Sequence, residues 1–146
     1  MTRFRFGLLA LSALLAAGTW VTLTTHPASA QASTRMTVTL SEFSIMSEVQ
    51  EVPAGEVVFD VVNTGEDVHE MIVIKSDLDV AALPPSPSAK NEVDEAAVGE
   101  YIGGFEDVQS GTGASGALML GPGRYILLCN LSKHYQNGMV ATLQVN

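Results

Sequence analysis

Three side chains of the kinds that bind soft metals lie close together near the end of the chain: Cys129, His134 and Met139. Cys129 is the only cysteine of the 146 residues. A thiolate, an imidazole and a thioether on one short segment form a compact ligand set. Thiolate and thioether favour copper, and imidazole suits copper as well. A second imidazole would complete the set. The chain has three histidines, of which His26 falls within the first thirty residues, which read as an export signal, leaving His69 and His134.

These residues need elements to hold them. Tyr125 to Leu128 reads as a strand running into Cys129, and Met139 to Val145 as the strand that leaves. Asn130 to Gly138, rich in Asn, Ser and Gly, is then a loop between the two. His69 opens HEMIVIK, a strand over His69 to Lys75 that follows a Gly-Glu-Asp turn. It lies sixty residues before Cys129, so only the fold can unite them. In a sandwich, a residue at the start of one strand can face a loop between two later strands at the same end. Cys129, His69 and His134 would hold copper in a near-trigonal plane, and Met139 would add a long axial contact. That is the ligand set of blue-copper electron-transfer sites.

The remaining elements are consistent with an all-β fold. Met36, Val38 and Leu40 alternate with Thr37 and Thr39, as in a half-buried strand. Phe43 to Met46 is a short apolar continuation, and Pro53-Ala54-Gly55 is a turn. Glu56 to Asn63, rich in β-branched residues, reads as a central strand. Ser115 to Leu120 is a further strand, closed by Gly121-Pro122-Gly123. Between them, Ser76 to Ser110 reads as an excursion from the sheet. It has prolines at 84, 85 and 87, a short helical stretch within Ala89 to Val98, and an edge strand over Tyr101 to Val108 weakened by Gly103-Gly104. It is too short and too poor in apolar residues to form a second domain. Short strands punctuated by Gly, Pro and Asn turns predict a β-sandwich.

Residues 1–30 read as an export signal. Arg3 and Arg5 precede the apolar run Leu8 to Ala17, and Ala28-Ser29-Ala30 is a small-x-small cleavage site. The other reading is an uncleaved anchor, for which the run is short, since a span needs about 20 apolar residues. A single domain over residues 31–146 remains. With Arg3 and Arg5 gone, 5 Lys+Arg face 16 Asp+Glu, a net charge of −11. So acidic a surface argues against nucleic acid as a partner, and it either suits a basic one or simply keeps the protein soluble. One cysteine in an exported chain rules out an internal disulfide and leaves a metal-bound thiolate, an intermolecular bond or a reactive thiol.

The Cys129-x4-His134-x4-Met139 spacing on a C-terminal hairpin, with His69 opening an upstream strand, resembles the cupredoxins. The closing segment CNLSKHYQNGM is similar to those of rusticyanins, sulfocyanins and small plastocyanin/azurin-like proteins. Val68 and Glu70 flank His69 where many members carry Asn or Ser. The resemblance implies a Greek-key β-sandwich that binds one type 1 copper and passes single electrons. It implies Cys129 as thiolate, His69 and His134 as imidazoles, and Met139 as axial thioether. It places His134 nearer the surface, within an apolar docking patch. The expected protein is therefore not an enzyme. It is an exported, monomeric electron carrier of the periplasm or extracellular space, membrane-tethered only if the leader stays uncut. Its partners would be redox proteins such as a basic cytochrome or a terminal oxidase.

Other functions could use the same residues. A copper carrier or store would have the same ligands without redox partners. Extra surface Met or His clusters would favour it, and none is apparent. A Cys–His nucleophile would need an activated thiolate, an orienting third group and a substrate cleft. A copper oxidase would need histidines for a second centre, which the chain lacks. Singly, Cys129, His69 and Met139 could also be core residues.

Overall fold

The computed structural model describes residues 33–146. The leader expected over 1–30 lies outside the described residues. The strands are β1 (Thr34–Ser41), β2 (Ser44–Ser47), β3 (Glu51–Val52), β4 (Gly55–Asn63), β5 (His69–Lys75), β6 (Glu100–Val108), β7 (Gly113–Leu120), β8 (Gly123–Leu128) and β9 (Val140–Val145). One short helix, α1 (Glu95–Val98), precedes β6, and a 3-10 turn spans Tyr135–Asn137. The strands form a four-stranded sheet in the order β2-β1-β4-β7 and a five-stranded sheet in the order β3-β9-β8-β5-β6. Packed face to face, they make the predicted β-sandwich.

The alternation in β1 does what its pattern implies. Met36, Val38 and Leu40 are buried, as are Val57, Phe59 and Val61 on β4, its parallel neighbour. Across the core, β5 and β8 contribute Met71, Val73, Tyr125 and Leu127 to the same cluster, which ends at Cys129 and Met139. Burial of this apolar surface is the main drive for closing the sandwich.

β5 and β8 are buried on both faces, which explains their near-continuous apolar sequence. Their outward residues Ile72, Ile74, Ile126 and Leu128 form a second cluster with Leu83, Val93 and Val98. Those last three come from residues 76–99. The excursion is thus a strap laid over the outer face of the five-stranded sheet. It is shorter than the predicted Ser76 to Ser110, because Glu100–Val108 is a full nine-residue strand paired to β5. The register of β6 against β5 shifts beside Gly103, between Val73 and Ile74. A Cβ on Gly103 would lie 2.6 Å from Leu118 Cδ2 on β7, so glycine lets the edges of the two sheets approach.

Candidate metal centre

His69 is the first residue of β5 and is fully buried. The turn before it is held from two sides. Asn63, also fully buried, donates through Nδ2 to the carbonyls of Asp67 and Val108, both at 2.8 Å, and accepts from the Gly65 N–H through Oδ1. Glu42, in the hairpin between β1 and β2, accepts at Oε1 from the Glu66 and Asp67 N–H groups at 2.6 and 2.9 Å. These donors, led by Asp67, pull the Glu42 carboxyl down to about 2. Charge on Glu42 is thereby fixed beside His69.

The other half of the site is the β8–β9 loop. Cys129 follows β8 directly and is fully buried. Its backbone N–H donates to the Met139 carbonyl, and the Met139 N–H donates to the His134 carbonyl. The loop is therefore closed by its own backbone across the three predicted ligands. Gly138, at φ 103°, ends the 3-10 turn and redirects the chain into Met139. That left-handed conformation favours glycine. Met139 is fully buried, in the same apolar cluster as Cys129.

The fold brings the two halves together at one end of the sandwich. His134 Nδ1 lies 3.3 Å from His69 Nδ1 and 3.3 Å from Cys129 Sγ. The three candidate ligand atoms all fall within 4.8 Å of one another. His134 is the partly exposed member, with Phe43 edge-on to its ring at 5.6 Å.

Protonation follows from burial. Desolvation pushes the Cys129 thiol up, while the N–H groups of Glu70 and Leu131 donate to the sulfur and pull it part of the way back. The metal-free thiol is thus protonated at neutral pH, and a metal bound at this sulfur would displace that proton. The same donors would then stabilise the thiolate. Desolvation, and next the neighbouring His69, lower His134 and keep its ring neutral at pH 7. Its Nδ1 lone pair is available in that form.

This donor set fits copper. Two ring nitrogens and a sulfur point into one space, and among the described residues no other His, Cys, Asp or Glu belongs to the group. His69 Nε2 is buried with no hydrogen-bond partner. It lies 3.5 Å from Glu42 Oε1, near enough for charge attraction but without hydrogen-bond alignment. A ring giving Nδ1 to a metal keeps its proton on Nε2, facing that carboxylate. A hydrolytic thiol would need a depressed pKa and access. Cys129 has neither.

Residues 16–146 match the Sulfocyanin (SoxE) domain. The chain belongs to the sulfocyanin family of cupredoxins. Family and donor set together give it one type 1 copper. No curated protein sequence matches it significantly. Among solved structures, it is similar to dithionite-reduced auracyanin of Roseiflexus castenholzii, at 23% identity and a TM-score of 0.57, covering 80% of this chain and 99% of that one. Auracyanin A of Chloroflexus aurantiacus, described as a "blue" copper protein, matches at 18% identity and a TM-score of 0.55, covering 79% and 100%. Rusticyanin of Thiobacillus ferrooxidans matches at 14% identity and a TM-score of 0.58, covering 78% and 77%. At these identities the likeness is one of fold. Cupredoxin relatives are copper electron carriers rather than enzymes.

Several residues around the centre escaped sequence reasoning. Glu42, Asn63 and Asn130 are polar residues in turns, and nothing in their spacing links them to His69 or Cys129. Glu70, singled out as unlike its counterparts, has a resolved part: its N–H faces the Cys129 sulfur, and its Oε1 accepts from the Asn130 N–H at 2.8 Å.

Proposed function

We propose that His69, Cys129, His134 and Met139 hold the type 1 copper, and that the protein is an exported, monomeric one-electron carrier between redox proteins. The observation that carries this reading is the convergence of His69 Nδ1, Cys129 Sγ and His134 Nδ1 at the end of the sandwich. Bound copper supplies one-electron chemistry by alternating between Cu(I) and Cu(II). The chain's own residues do the rest. β5 and the closed β8–β9 loop fix the ligand side chains. The N–H groups of Glu70 and Leu131 stabilise the thiolate. The surrounding apolar cluster excludes water from Cys129 and Met139, which limits solvent rearrangement during transfer.

Electrons would pass through the partly exposed edge of His134. The exposed apolar side chains Phe43 and Val68 flank this end of the molecule, next to His134 and His69 in space and sequence respectively. A partner with an apolar contact surface and a basic rim suits this end and the acidic chain, whose formal net charge is −9 before any leader is removed. Such a partner could be a basic cytochrome or a terminal oxidase. Among the described residues no helix is long and apolar enough to cross a membrane.

The deciding experiment is a visible spectrum of residues 31–146 with Cu(II), followed by ascorbate. An intense blue or green band that ascorbate bleaches and an oxidant restores is the expected result. Cys129→Ser abolishes that band. A colourless protein that binds Cu(I) would instead identify a copper carrier, and a band that survived Cys129→Ser would overturn the ligand assignment.

A further inference from the structure

The strap over residues 76–99 is long for a connection, and segments of this length inside compact domains usually serve a function. Its base is sewn to the sheet. The Ser76 hydroxyl donates to the Val98 carbonyl at 2.6 Å, and the Ser76 N–H donates to the Arg124 carbonyl at 3.0 Å. Its far end folds back on itself through Ser86 N–H to the Glu92 carbonyl and Asp94 N–H to the Pro84 carbonyl, both at 2.9 Å. Leu83, Val93 and Val98 anchor it in the outer apolar cluster. It is therefore a packed, hydrogen-bonded unit rather than an open loop.

This body meets the ligand loop between Cys129 and the 3-10 turn. Asn130, 7% exposed, accepts the Val93 N–H at Oδ1 at 2.7 Å. Its Nδ2 donates to the Val93 carbonyl at 3.1 Å and to Glu95 Oε1 at 2.7 Å. The Lys133 N–H donates to the Asn91 carbonyl at 2.9 Å. The Tyr135 hydroxyl accepts from the Leu83 N–H and donates to the Val80 carbonyl, each at 2.9 Å. Asn130 adjoins Cys129, and Lys133 and Tyr135 flank His134. These attachments lie next to proposed ligands, a weaker one joins the Ser132 hydroxyl to the Lys90 carbonyl at 3.4 Å, and none uses the ligand side chain itself.

We infer that the strap is a brace that gives the ligand loop its copper-ready shape before the metal arrives, with Asn130 and Tyr135 as its positioning residues. The inference rests on Cys129 and His134 being ligands. A loop with little regular structure would otherwise sample many shapes, and copper would have to order it at each uptake. A braced loop also resists rearrangement when the charge at the site changes. The outer apolar cluster and the amide of Asn130 convert burial on the far face of the sheet into order at the site.

The test begins with the metal-free protein. Tyr135→Phe removes one oxygen and keeps the ring. Asn130→Asp keeps the side-chain shape and the acceptor for Val93, but sets a second oxygen against the Val93 carbonyl and Glu95. Amide hydrogen exchange is read at His134, Gly138 and Met139, with Phe59 and Val61 of β4 as reference. Both variants should speed loop exchange about tenfold or more while the reference stays unchanged. Copper-loaded variants should release copper to a chelator about 10–100-fold faster, in line with the usual effect of residues that support ligands. Their EPR hyperfine pattern should change or broaden. Glu95→Gln added to Asn130→Asp should restore part of the loss, because the new amide can donate to the introduced carboxylate.

Loop exchange that follows the wild type, or that rises only as much as the reference, would overturn the brace. So would wild-type copper release and EPR in both variants once Tyr135→Phe has been shown to free the Leu83 amide. Failure of the ligand assignment is separate, since it shows as an absent band in the wild-type protein while the metal-free exchange remains readable.

Discussion

His69 stands on a strand, whereas Cys129, His134 and Met139 stand on or beside a loop, and the supports of the two halves differ in origin. β5 is paired on both sides, to β6 and β8. The turn before it is fastened by Asn63 and Glu42, which belong to the four-stranded sheet and its hairpin. All of that support comes from the sandwich itself. The loop half is fastened by residues 76–99, an addition on the outer face. The His69 half is thus fastened by the sandwich alone, while the loop half, besides its own backbone bonds and Glu70, is also fastened by a separate packed segment. A cupredoxin built this way can retune the loop by changing the strap and leave the His69 half in place.

The sharpest way to break this comparison is to remove each imidazole in turn. His69→Gly and His134→Gly should both lose the wild-type band. Added imidazole should restore it in His134→Gly, where the ring is partly exposed, and not in His69→Gly, where exposure is 0%. Rescue of both, read by the visible spectrum, would mean that the His69 half is not sealed by the core. Asn63→Ala is next in size. It leaves the Asp67 and Val108 carbonyls and the Gly65 N–H without their partner, a cost of about 3 kcal/mol. Chemical denaturation of the metal-free protein should show this, and a loss below about 1 kcal/mol would assign the turn to other contacts.

Met139→Leu should have a smaller effect, keeping copper and colour but raising the potential, because a donor to Cu(II) is lost and the site becomes more apolar. Cyclic voltammetry measures it, and an unchanged potential would remove Met139 from the ligand set. The smallest effect is expected far from both halves. Asp60 accepts from Ser115 and Arg35, tying β4 to β7 and β1. The Ser115 hydroxyl first, and then Arg35, hold its carboxyl below the ordinary 3.8. A carboxyl depressed in the folded state stabilises the fold above its unfolded pKa, and that contribution fades as pH falls through the folded value. Asp60→Asn should therefore be slightly less stable at pH 7, and the gap should close as pH drops below about 3.8. Denaturant midpoints against pH would show it. A gap independent of pH would argue against the charged contact.

Much of the centre was legible in the chain because it is local. Cys129, His134 and Met139 lie on one loop between two recognisable strands, so residue type and spacing alone nominate them. The alternation of Met36, Val38 and Leu40 and the β-branched run of β4 likewise reflect a period that burial on one face imposes. Other features resisted reading for definite reasons. Gly103 resembled a strand breaker because its purpose, admitting Leu118 across the sheet edges, involves a residue fifteen positions away. The strap resembled a loop because Leu83, Val93 and Val98 have no period of their own and find their partners on β5 and β8.

The sequence by itself determined the kinds of ligand available, the loop that carries three of them, and the β-rich pattern that can sandwich them. These follow from side-chain chemistry and short-range periodicity. Only the tertiary structure decided that His69 Nδ1 meets His134 Nδ1, that Glu42 and Asn63 secure the turn before His69, and that a strap on the far face is hydrogen-bonded to the loop of Cys129 and His134 through Asn130 and Tyr135. Each of those contacts joins residues distant in the chain, and hydrogen bonds between distant residues leave no periodic trace in a single sequence.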